Sequence, residues 1–97
     1  DWLVPLEIGL IYLHYRYPSK ALGRIQRAVE AVPDEYHPWY LQGVCQLKLG
    51  FDQRARHSFQ RCLDLCPRHA DALSRMEELE QQSWSPIPFL RRLFARG

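Results

Sequence analysis

Residues 21–33, ALGRIQRAVEAVP, and residues 55–67, ARHSFQRCLDLCP, decide how this chain is read. Laid on one another at an offset of 34, they align Ala21 with Ala55, Gln26-Arg27 with Gln60-Arg61, and Pro33 with Pro67. Ile25 with Phe59, Val29 with Leu63 and Glu30 with Asp64 are conservative matches. In both stretches small and apolar residues recur at three- and four-residue steps, the spacing of one helix face, and a proline ends the run. The same offset extends upstream, placing Gly9 on Gly43, Leu10 on Val44 and Leu13 on Leu47. Self-similarity at such a period marks stacked units, none of which buries its apolar face alone.

Each unit reads as two helices. In the first, Leu3, Leu6, Leu10 and Leu13, with Ile8 and Tyr12 beside them, have helical spacing, and Pro5 lies in the first turn, where its missing N–H costs least. That run stops at Arg16-Tyr17-Pro18-Ser19; a second helix carries Ala21, Leu22, Ile25, Ala28 and Val29 and ends before Pro33-Asp34. In the second unit Pro38 opens a helix running through Leu49, Gly50 ends it, Asp52 is placed to cap the next, and Ala55, Phe59, Cys62 and Leu63 line its inner face. A further helix, from about Ala70 to Gln82, sets Ala72, Leu73, Met76 and Leu79 against Glu77, Glu78 and Glu80. The expected class is all-α.

These residues resemble the tetratricopeptide repeat family. Gly9, Tyr12, Ala21, Ile25, Ala28 and Pro33 match the family's pattern in the first unit, and Trp39, Gly43, Ala55, Phe59, Cys62 and Pro67 match it in the second. Two departures stand out: Pro5 replaces the usual first-turn aromatic, and Gln46 replaces a tyrosine. The resemblance implies a right-handed α-α superhelix of antiparallel helix pairs. Repeats would occupy residues 2–35 and 36–69, a capping helix 70–82, and a proline-containing linker with a short basic amphipathic tail 83–97. Glu77 and Glu80 sit where the pattern wants small and aromatic residues, so the last helix is read as a solubilising cap.

The resemblance also implies where a partner would bind, because the first helices of the pairs line a concave face. Carried over by position, the groove takes Leu3, Leu6, Leu10, Leu13 and His14 from the first repeat, and His37, Tyr40, Leu41, Val44, Leu47 and Lys48 from the second. The cap adds Asp71, Ser74, Arg75 and Glu78. Most of the first two sets are apolar, which suits an apolar peptide or an amphipathic helix. Leu6, Leu10 and Leu41 stand where part of the family carries the polar clamp for a terminal carboxylate, so that chemistry is missing.

The tail, FLRRLFARG at 89–97, sets Phe89, Leu90, Leu93 and Phe94 against Arg91, Arg92 and Arg96 on a helical wheel. It is too short to hold a helix in water alone. Its candidate occupancies are its own domain, the groove of a neighbouring copy, or another protein or anionic membrane, the last being weak for one short basic stretch.

Composition narrows the remaining classes. Of 13 basic and 11 acidic residues, Arg91, Arg92 and Arg96 belong to the tail, which leaves residues 1–88 with ten basic against eleven acidic. The arginines at 24, 27, 54, 56 and 61 are interleaved with Glu30, Asp34, Asp52 and Asp64, a solvated face more than a nucleic-acid surface. No apolar run approaches the ~20 residues of a spanning helix, and the chain begins at Asp1, so its ends are read as cuts. Three cysteines, an odd number without a dense framework, point to a reducing compartment and a cytoplasmic home. Cys62 and Cys66 are four apart, with His69 beyond them, but their register counterparts are Ala28 and Val32. They are read as packing groups, with no metal and no cofactor. His57 and His69 are assigned no role. The sequence has no phosphate loop, zinc-protease helix or serine-hydrolase turn, so the expected function is non-catalytic. The chain is read as a protein-protein interaction scaffold, with self-assembly through the tail or a secretion-type chaperone as alternatives.

Overall fold

A computed structural model of the chain describes residues 2–83. The described residues form α1 (Leu3–His14), α2 (Pro18–Ala31), α3 (Tyr36–Lys48), α4 (Asp52–Leu65) and α5 (Ala70–Ser83). The protein is all-α. Connections of three or four residues fold each helix back onto the one before it, and α1 packs on α2, α2 on α3, α3 on α4 and α4 on α5.

The helix ends follow from local chemistry. α2 opens on Pro18, whose ring presets a helical φ and whose absent N–H falls among donors that have no helical acceptor anyway. α1 and α3 end in the same way at positions 34 apart. Tyr17 N–H donates to Tyr12 C=O at 2.8 Å and Arg16 N–H to Leu13 C=O at 3.0 Å; Phe51 N–H donates to Gln46 C=O at 2.8 Å and Gly50 N–H to Leu47 C=O at 3.0 Å. Both are Schellman closures, which put one residue in the left-handed region: Gly50 at φ 82° and Arg16 at φ 64°. Glycine takes that conformation without a Cβ penalty, and arginine does not. Arg16→Gly is therefore expected to raise the unfolding free energy by about 1 kcal/mol, measured by urea denaturation; an unchanged midpoint would mean that the φ of 64° carries no strain.

One helix cap and one helix face differ from expectation. Asp52 does not cap α4: Phe51 occupies the cap position, no side chain bonds there, and Asp52 lies in the first turn, where its charge meets the positive end of the helix. On α5, Leu73 is 48% exposed, although Ala72 and Leu79 are buried. Ala72, Met76 and Leu79 follow the i, i+4, i+7 line that meets α4, and Leu73 is rotated about 100° from Ala72.

Two clusters form the core. Leu6, Ala21, Ile25, Ala28, Leu41 and Cys45 join α1, α2 and α3. Ala55, Phe59, Cys62, Ala72 and Leu79 join α4 and α5, with Trp39, Val44 and Leu47 of α3 against them. Tyr40 packs on both. Gly9 and Gly43 let each pair close: a Cβ on Gly9 would lie 2.6 Å from Ile25 Cγ1, and one on Gly43 would lie 2.6 Å from Phe59 Cε1. The 34-residue register is thus repeated in three dimensions as the same small-against-large contact.

Residues 2–35 hold α1 and α2, 36–69 hold α3 and α4, and α5 covers the expected cap and Ser83. The expected tail contacts of Phe89, Leu90, Leu93 and Phe94 lie outside the described residues.

Candidate functional site

α1 is apolar around most of its circumference, which sets it apart from α2 and α4, each with one apolar and one charged face. One side of it packs on α2 through Leu6 and Gly9. The rest leaves Leu3, Val4, Leu10, Ile11 and Tyr15 exposed by 40–67%.

The expected groove residues separate into three groups. Leu6 and Leu41 are core: at 4% and 7% exposure they lie in the cluster that joins α1, α2 and α3 and have no surface to offer a partner. This corrects their placement in the groove. The physical reason is that Leu6 lies on the side of α1 that packs on α2, and Leu41 belongs to a helix covered by both α2 and α4, whose buried arc is wider than one row of residues. Leu13, Tyr40, Val44 and Leu47 are half-buried, each with one side against the core. Leu10, His14, His37 and Lys48 are exposed, and Arg75 is half-buried.

One aromatic group at this end of the molecule escaped the sequence reading. The His69 ring lies 4.8 Å from the Tyr40 ring and 5.5 Å from the Tyr36 ring, centroid to centroid, and Tyr36 meets His37 edge-on at 6.5 Å. Tyr40 also meets Phe59 at 5.8 Å. His69 Nδ1 accepts a 3.1 Å bond from Ala72 N–H, so His69 caps α5. This corrects the assignment of no role to His69. Histidine is not a usual cap residue, and the only signal was its position before Ala70 at a helix start. His57 meets Trp39 edge-on at 6.2 Å, which gives it a packing contact as well. Desolvation, and secondly the nearby His69, hold the His37 imidazole below its ordinary range. A depressed pKa of this kind adds stability that is complete above about pH 6.5 and declines as pH falls toward the folded value. Because His37 is exposed, the contribution is small.

Gln46, the departure from the repeat pattern, is explained by a buried polar chain. Gln42 Nε2 donates to Ser58 Oγ at 3.0 Å, and Ser58 Oγ donates to Gln46 Oε1. Ser58 is fully buried, so these bonds satisfy a hydroxyl that would otherwise destabilise the α3–α4 contact. Trp39 Nε1 donates to Pro33 C=O at 2.8 Å and ties the α2–α3 turn to α3.

The three cysteines are free thiols. Burial pushes the Cys45 thiol up to about 12 and the Cys62 thiol up to about 11. Thiols held neutral in this way are poor nucleophiles. In the folded protein at pH 8, iodoacetamide is expected to modify Cys66 first, with Cys45 and Cys62 reacting only in denaturant, as read by intact mass. Rapid triple modification under native conditions would contradict the burial. Among the described residues, no three His, Cys, Asp or Glu side chains gather to hold a metal ion, and no helix is long and apolar enough to cross a membrane.

No protein-family model matches the chain, and no curated protein does.

Proposed function

We propose that this chain is a tetratricopeptide-type helical scaffold without catalytic activity, which binds a peptide or an amphipathic helix of a partner protein. The observation that carries this reading is the apolar surface left on α1, where Leu3, Val4, Leu10 and Ile11 of a 12-residue helix, and Tyr15 at its C-terminal cap, stay exposed. Contiguous apolar surface of this kind marks interaction sites in stable proteins. The 34-residue helix-turn-helix period and the glycine-against-large-residue contacts support the repeat reading of the fold. The binding face would run from Leu10 and His14 of α1 past Tyr40 and Val44 of α3 to Arg75 of α5. Leu6 and Leu41 would hold its helices in place from beneath.

A second reading has its own observation. Shifted by 34, the exposed Val4 and Ile11 correspond to Pro38 and Cys45, which are both buried, Cys45 in the cluster that joins α3 to α1 and α2. That face of α1 is therefore shaped to receive another helix, which favours self-assembly as the alternative.

Two variants separate the readings: Leu10→Glu on the groove face and Ile11→Glu on the stacking face. Peptides selected from a displayed library against the full chain are expected to lose at least ~10-fold in affinity to Leu10→Glu, about the 1.4 kcal/mol of one buried anchor. Retained binding in that variant would remove the groove reading. A concentration-dependent mass in sedimentation that Ile11→Glu abolishes would establish self-assembly instead. Tyr40 is a poor probe, because it packs on both core clusters.

A further inference from the structure

On the first helix pair, Tyr12 of α1 and Ser19, Lys20, Gly23, Arg24 and Arg27 of α2 line an open recess of about 390 Å³. Three of these six residues are cationic and none carries a carboxylate. We propose that this recess is a binding site for a phosphate monoester.

The cations are placed but not neutralised. The Lys20 ammonium lies 5.9 Å from the Tyr12 ring centroid and 5.5 Å from that of Tyr17, which fixes its position without cancelling its charge. Among the described residues, Arg24 and Arg27 have no ion pair, hydrogen bond or ring contact. The arginines of the second helix pair are all engaged. Arg54 lies over the Phe51 ring at 5.3 Å, Arg56 donates to Leu79 C=O at 3.3 Å, and Arg61 lies over Trp39 at 5.5 Å with Asp64 at 3.7 Å. Lys20, Arg24 and Arg27 share one face of α2 at i, i+4 and i+7, an arrangement of like charges that weakens a helix unless an anion joins them.

The second helix pair shows what leaves this space open in the first. The register counterparts of Tyr12, Gly23 and Arg24 are Gln46, His57 and Ser58. In the second pair, Gln46 and Ser58 close the space with buried hydrogen bonds, and His57 stands against Trp39. In the first pair, a Cβ on Gly23 would meet nothing within 4 Å, and the long Arg24 side chain lines the recess in place of the buried serine. The recess also adjoins the first turn of α2, whose free N–H groups and positive dipole end favour an anion.

The charge and size select the ligand. Two guanidinium forks and an ammonium match the oxygens and the charge of about −2 of a phosphate monoester. A nucleic-acid backbone needs a longer basic stripe than one recess on a body with ten basic and eleven acidic residues. The arginine-rich tail has the wrong sign to enter. This site is independent of the groove and of any partner bound there.

The test is an NMR titration of the full-length 15N-labelled chain at constant ionic strength with O-phosphoserine, inorganic phosphate, serine and sodium chloride. O-phosphoserine is expected to give saturable shifts at the amides of Ser19, Lys20 and Gly23, with a Kd on the order of 1 mM. Serine and chloride are expected to give none. The double variant Arg24→Gln/Arg27→Gln should weaken binding at least ~10-fold, since charge-assisted bonds carry the affinity. Lys20→Gln should weaken it less, and Arg54→Gln should leave it unchanged. Equal saturation by inorganic phosphate would locate recognition in the phosphate itself, whereas tighter binding of O-phosphoserine would place a phosphorylated side chain in the recess. Shifts that never saturate, that chloride reproduces, or that persist in a folded double variant would overturn the proposal.

Discussion

Phe59→Ala is expected to lower the unfolding free energy by about 3–5 kcal/mol, the usual cost of emptying a closed aromatic site. Phe59 is fully buried. Its ring sits against the backbone of Gly43 and 5.8 Å from the Tyr40 ring, and it belongs to the cluster that joins α4 to α5. The loss has two parts, the transfer of the ring to water and the cavity left behind, and α3 and α4 collapse only partly around an alanine. A domain of this size has about 5–15 kcal/mol in total, so the variant should melt far below the parent and bind hydrophobic dyes. Urea denaturation with equal m-values would give the number directly. A change below ~1 kcal/mol would mean that the ring does not organise the α3–α4–α5 core.

The register explains why so much of the architecture was readable. The features that hold the pairs together repeat at 34 residues and recur in space: Gly9 with Ile25 and Gly43 with Phe59, the closing turns at Arg16 and Gly50, and Ala21 and Ala55 at full burial. Residues outside the register were harder. The resemblance puts Leu6 and Leu41 in the groove by position, and a position in a pattern does not tell how far the neighbouring helices cover that face. His69 and Tyr36 went unrecognised because their contact joins the loop before α5 to the start of α3 and leaves no periodic trace. The Gln42–Ser58–Gln46 chain was invisible for a related reason: three polar residues on two helices disclose a buried bond only once the helices are placed. The basic recess is legible only as an asymmetry between the two repeats, where Gly23 and Arg24 replace the residues that fill the second pair.

Gly43→Ala is expected to destabilise the protein by about 1–2 kcal/mol, against the helix propensity of alanine, which by itself would favour the change by roughly 1 kcal/mol. The new methyl would lie 2.6, 2.8 and 2.9 Å from Phe59 Cε1, Cδ1 and Cζ. No carbon pair tolerates those distances, and the ring cannot retreat because it is fully enclosed. α3 and α4 must therefore part, which loosens the bonds of Ser58 as well as the ring contact. Gly23→Ala supplies the control with the opposite sign. It makes the same change inside a helix, but at an exposed position with nothing within 4 Å, and should gain about 0.5–1 kcal/mol. The pair Gly43→Ala/Phe59→Leu completes the argument. Leucine is smaller than phenylalanine and turns about two staggered torsions, so its far end can move off a methyl at position 43. The double variant should thus lose at least ~1 kcal/mol less than the two single changes summed. Simple additivity, or a Gly43→Ala variant stabilised as much as Gly23→Ala, would mean that close approach of α3 and α4 at Gly43 does not hold the repeat together.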